Sequence, residues 1–136
     1  MLLVFIFAFI LNFIWEISQA FLYDPHYAGI SGLIIVHLRA SLGDILMIFI
    51  ILFLDSVILG RIFHNKFNAG RFLAIALIGL ILAILVEKYA LTTGRWSYNS
   101  LMPIIPWLNV GLAPILQMVL TPTITVAFWS RMKRLY

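Results

Sequence analysis

Four long apolar stretches account for most of the chain, and the polar residues inside them are spaced rather than scattered. The first, residues 2–22, is long enough at about 1.5 Å per residue to cross roughly 30 Å of hydrocarbon. Asn12, Glu16 and Gln19 fall within it at i, i+4 and i+7, which puts them on one helical stripe with Trp15 alongside. Asp24-Pro25 ends that helix. The second span covers 41–62. Residues 32–40 before it read either as a short interfacial helix or as an early extension of the span. His37, Ser41, Asp44, Ile48, Ile51 and Asp55 keep helical spacing, so an unbroken helix carries a polar stripe, whereas a break at Gly43 removes its upper half.

A polar, basic connection leads to the third span, 72–93, whose only charges are Glu87 and Lys88 near its end, with Gly94 placed as a C-terminal cap. In the fourth span, 108–130, Asn109, Ala113, Gln117 and Thr121 recur every four residues. Pro114 and Pro122 are predicted to kink it, with Thr121, Thr123 and Thr125 available to the freed backbone groups. The pattern predicts an all-α integral membrane protein, a single domain forming an antiparallel four-helix transmembrane bundle.

Composition supports this class. Of 136 residues, 64% are apolar and 10% charged, and the mean hydropathy is +1.11, which excludes a soluble globular domain. The absence of cysteine excludes disulfides, thiolate nucleophiles and Cys-ligated zinc or iron–sulfur centres. The net charge of +4 does not point to nucleic acid, because the basic residues sit at segment ends rather than along one face. Arg61, Lys66, Arg71, Arg131, Lys133 and Arg134 lie on one side against Arg39, Lys88 and Arg95 on the other, a bias that predicts N-in, C-in. The first segment reads as a retained helix rather than a signal peptide, since it lacks a basic start and carries Glu16. Localisation to a cytoplasmic (inner) membrane is expected, with the polar site facing the extracytoplasmic side.

Candidate chemistry follows from depth. A centred Asp or Lys costs about 2.5–3.5 kcal/mol on an insertion scale, so acids inside spans need a reason. Glu16 and Glu87 each lie about six residues, roughly 9 Å, below the same boundary, and Asp44 enters from that side too. These three acids with His37 form the candidate catalytic set, in a pocket that opens outward. The first and fourth segments offer Asn12, Trp15, Gln19, Asn109 and Gln117 as substrate-binding residues. Arg39 before the second span, Tyr89 in the third, and Arg95, Trp96 and Tyr98 in the loop after it complete the substrate-binding set. Aromatic belts at the membrane surface explain Tyr23, Trp96, Tyr98, Trp107 and Trp129 equally well.

Specific chemistries can be tested on spacing. A Ser-His-Asp triad fails, because the ladder His37, Ser41, Asp44 puts serine in the middle where imidazole must stand. A metal would draw on Glu16, His26, His37, Asp44 and Glu87, but His37 and Asp44 are two turns, about 10 Å, apart and no HExxH or Glu-x-x-His occurs, so no cofactor is expected, with a metal held by these Glu, Asp and His residues as the alternative. Acid–base chemistry on a lipid-soluble substrate fits the residue types better. Protonating an alkene needs a carboxylic acid in a dry site and aromatic faces for the cation. Glu87 or Glu16 would be the acid and Asp44 its base partner, with His37 as relay and Arg95 setting the field. The run EKYALTTGRWSYN followed by MPIIP resembles the acid-then-aromatic loops of carotenoid-modifying membrane enzymes over about a tenth of the chain, without a complete motif to carry across. Two functions are therefore expected: an isomerase, hydratase or cyclase acting on a lipid or isoprenoid, or a non-catalytic subunit whose polar groups are interhelical glue. The partners expected are membrane lipids, an apolar substrate, and a larger membrane complex or a second copy.

Overall fold

The computed structural model describes residues 2–59 and 68–132. Four helices carry the chain: α1 (Leu2–Gln19), α2 (Gly29–Leu59), α3 (Ala69–Thr92) and α4 (Leu112–Met132). With the 3-10 turn Ala20–Leu22 counted into the first, all four are long and apolar enough to cross a membrane. Two short strands, β1 (Ile104–Ile105) and β2 (Val110–Gly111), pair antiparallel in the loop before α4. The basic connection over 60–67, which holds Arg61 and Lys66, and the terminal Lys133 and Arg134 lie outside the described residues.

Local chemistry sets the helix ends. Asn68 caps α3 by accepting the Arg71 backbone N–H at 2.9 Å. At the other end Gly94 takes φ +66°, Arg95 N–H bonds to the Ala90 carbonyl and Gly94 N–H to that of Leu91, the Schellman arrangement expected of a glycine cap. α2 runs unbroken through Gly43, so residues 32–40 belong to the span and no separate interfacial helix forms. Gly43 has open space around it and no proline follows, so nothing ends the helix there. The fourth helix starts at Leu112 rather than 108, because Pro103 and Pro106 favour a turn and Asn109 adopts φ +53° at the hairpin. Pro114 then falls in the first turn, where no intrahelical N–H is lost, so only Pro122 interrupts α4.

α1 packs on α2 and α4, and α3 packs on α2 and most extensively on α4, with α2 also touching α4. The burial pattern is inverted relative to a soluble protein. Leu73, Leu77, Ile81 and Leu85 of α3, and Leu112, Leu116, Leu120 and Ile124 of α4, face outward at four-residue intervals. Asn12, Gln19, Ser41, Asp55, Gln117 and Thr125 are buried. That is the arrangement hydrocarbon favours. One contact explains why α3 and α4 approach so closely. Pro122 has no N–H for the Met118 carbonyl, and that carbonyl sits against Gly79, where a Cβ would lie 2.2 Å from its oxygen.

At one end of the molecule the two loops are laced together. Asp24 N–H bonds to the Ser97 carbonyl, Asn99 N–H to the Leu22 carbonyl, and Tyr23 pairs with Tyr98 in an isolated bridge. At the opposite end Arg71 and Asp55 form an ion pair at 2.9 Å, both buried. Arg71 is thus a partner for the deepest acid of α2, not the solvent-facing topology signal its position in the chain suggests.

Candidate functional site

The site lies beneath the laced loops. On α1, helical spacing aims Asn12, Glu16 and Gln19 at the same neighbours. Trp15 Nε1 donates to Gln19 Oε1 at 3.1 Å, and this fixes the Gln19 amide so that its Nε2 donates both to Glu16 Oε1 and to Gln117 Oε1, each at 2.9 Å. Gln117 Nε2, from α4, donates in turn to Asp44 Oδ2 at 2.8 Å and to Asn12 Oδ1 at 3.2 Å. Asn12 Nδ2 closes the series on the Ala8 carbonyl at 2.8 Å. Three helices are thus joined by one directed network. Two amides separate the carboxylates of Glu16 and Asp44.

Glu87 approaches from α3 and is met by the loop. Tyr98 Oη and Trp96 Nε1 both donate to Glu87 Oε2, the latter at 3.2 Å. Gly111 N–H donates to the Tyr98 oxygen at 3.0 Å. A Cβ on Gly111 would lie 2.8 Å from Met102 Sδ and 3.1 Å from the Tyr98 ring, so glycine lets the hairpin brace the phenol without displacing either side chain.

Tyr23 feels the charge of all three acids. Burial pushes its phenol well above the ordinary range, and Glu87, Glu16, Tyr98 and Asp44, in that order, push it further. All three candidate acids therefore lie within electrostatic reach of one hydroxyl-bearing ring, which sits 5.5 Å from the Tyr98 ring. Tyr98 is shifted up as well, by burial first and then by its hydrogen bond to Glu87 and that group's charge, against the opposing Gly111 N–H. Sequence reasoning put Tyr23 only in an aromatic belt; its position one residue beyond the first span was the available signal.

Several expected residues stand elsewhere. His37 is buried, but its Nδ1 bonds to the Leu33 carbonyl at 2.7 Å and its ring faces Tyr27 and His26, at 5.7 and 6.2 Å between centroids. It does not reach Asp44, because two helical turns separate them and Ser41 between them bonds back to the His37 carbonyl. Arg39 is exposed on α2. Arg95, turned outward by the Gly94 cap, lies over the ring of the exposed Tyr89 at 5.5 Å instead of facing Glu87. Asn109 is exposed at the hairpin turn, outside the network.

Among the described residues no three His, Asp or Glu side chains are grouped to hold a metal ion. A small apolar groove of about 60 Å³, open to the exterior, begins one turn below the network at Ala8, whose carbonyl takes the Asn12 amide. It continues between Phe5, Ile48, Leu52 and Val126 towards Trp129. The chain matches no family model, and no curated protein or solved structure is significantly similar to it.

Proposed function

We propose that this protein is a small membrane enzyme performing proton-transfer chemistry on an apolar, lipid-soluble substrate of the isoprenoid type. The observation that carries the reading is that Glu16 and Asp44, from two helices, share one amide network, while Glu87, from a third, is held by Tyr98 beside Tyr23. Burying several acids in a bundle is costly, and structural glue rarely needs three at one level.

In this reading Glu87 is the acid. Its proton forms a new C–H bond with the π electrons of a substrate alkene, leaving the carboxylate on the enzyme and a cation on the adjacent carbon. Loss of a different proton from the substrate to Glu16 or Asp44 completes an isomerisation or ring closure; addition of water to the cation, with one of its protons passing to Glu16 or Asp44, gives a hydration. Trp96, Tyr98 and Tyr23 offer aromatic faces to the cation. The groove below Asn12 is small, about 60 Å³, but lined almost wholly by apolar side chains, which supports an apolar chain as the substrate's remainder. The basic bias of the connections supports N-in, C-in insertion in a cytoplasmic membrane, with the acid cluster in the extracytoplasmic half.

The second reading is a non-catalytic subunit of a membrane assembly, and the observation favouring it is Gln117, whose amide locks α1, α2 and α4 together. Glu87→Gln and Glu16→Gln, made in protein purified in detergent, separate the two. The enzyme reading expects both variants to keep their fold while the lipid profile of expressing cells changes. Collapse of the fold in both, with no lipid altered by the wild type, supports the structural role.

A further inference from the structure

The loop that roofs the acid cluster has an apolar outer side. Leu101, Ile104 and Trp107 are 64%, 42% and 93% exposed, and Pro103 and Pro106 beside them are exposed as well. The inner side of the same hairpin is anchored: Met102, Val110 and Gly111 are buried, and Asn99 ties the loop to the Phe21 and Tyr23 carbonyls at 2.7 and 3.2 Å. The exposed apolar side chains are therefore held in place rather than left on a loose segment.

Charge distribution tells what covers them. Beyond Arg95 at its start, the loop contains no Asp, Glu, Lys, Arg or His from Trp96 to Gly111. The shorter loop before α2 carries Asp24 and His26, whereas these sixteen residues carry no charge and the loop's one cation, Arg95, stands at the opposite end from the 101–107 side. The hairpin's outer side also runs directly into the lipid-type stripe of α4, Leu112, Leu116, Leu120 and Ile124. Trp and Pro beside polar Ser100 and Asn109 suit the boundary between headgroups and acyl chains, where amphipathic rings settle.

We propose that the 101–107 side of this hairpin is embedded in the bilayer interface, its partner being phospholipid, so that the roof of the acid cluster faces lipid instead of water. The inference does not depend on the chemistry assigned to the acids. It makes the bilayer, not the aqueous phase, the side from which a ligand reaches Tyr98 and Glu87.

The chain has no cysteine, so single labels can be placed cleanly. Ile104→Cys and Leu101→Cys, each carrying an environment-sensitive NBD fluorophore, would be reconstituted in phosphatidylcholine vesicles with doxyl-labelled lipids, and Arg95→Cys would serve as the water-facing reference. The expected result is blue-shifted emission at 104 and 101, quenching at least twofold stronger by shallow doxyl lipid than at 95, and little response to iodide. Red emission with strong iodide quenching overturns the proposal. Blue emission with no lipid quenching also overturns it, since the face is then covered by protein, and self-quenching at high protein-to-lipid ratio would identify a second copy.

Discussion

Gln117 is the residue on which most of the polar interior turns. Its one amide oxygen and both amide hydrogens are engaged, with Gln19, Asn12 and Asp44. Replacing it with leucine keeps the volume but strands three partners, of which Asn12 and Gln19 are buried, and unsatisfied buried groups cost about 1–3 kcal/mol. Gln117→Leu should therefore lower stability by that amount in a denaturant titration in detergent micelles; an unchanged midpoint would mean the network contributes nothing. The phenols offer a second test. Tyr23 and Tyr98 hold their protons more tightly folded than unfolded. Their contribution to stability is thus complete below the unfolded value near 10 and declines as pH rises beyond it. Thermal midpoints measured across that range should fall less steeply for a Tyr23→Phe, Tyr98→Phe double variant than for the wild type.

At the scale of elements, the α3–α4 contact is decided by one missing side chain. A Cβ at Gly79 would stand 2.2 Å from the Met118 oxygen, and backbone cannot yield as a flexible side chain would. Gly79→Val should force the helices apart and cost about 1–3 kcal/mol or more, as overpacking does. A thermal midpoint equal to wild type would show that the helices separate freely. Sequence alone could mark all four spans, because twenty or so apolar residues have few alternatives. It could not place Gly79 against Met118, since that contact joins positions whose relation only packing defines. Nor could it resolve residues 29–43, where nothing but the environment decides whether Gly43 breaks a helix. The strands at Ile104–Ile105 and Val110–Gly111 are two residues each, too short for any periodicity.

For the whole molecule, depth was the most informative quantity in the sequence. Counting residues from the span ends put Glu16, Asp44 and Glu87 in one half; in the structure Glu16 and Asp44 share the Gln19–Gln117 network and Glu87 is held by Tyr98 and Trp96. Adjacency along the chain was a poorer guide. Arg95 follows Glu87 by two turns yet points away, because the glycine cap reverses the chain, and His37 shares a helix stripe with Asp44 but bonds to its own backbone. Asp55 reads as an isolated deep acid until Arg71, distant in function from any loop signal, is found beside it. Removing that charge partner by Arg71→Ala leaves a buried carboxylate uncompensated, and a loss of about 3–5 kcal/mol is expected, which detergent unfolding would register.

The central claim is that the gathered carboxylates deliver a proton to carbon. Vesicles containing the wild-type protein and an isoprenoid-rich lipid extract, incubated in deuterium oxide and analysed by mass spectrometry, should yield a lipid heavier by one deuterium. Glu87→Gln should abolish that product while retaining its fold. Absence of deuterated lipid with the wild type, or an undiminished yield from Glu87→Gln, would contradict the account.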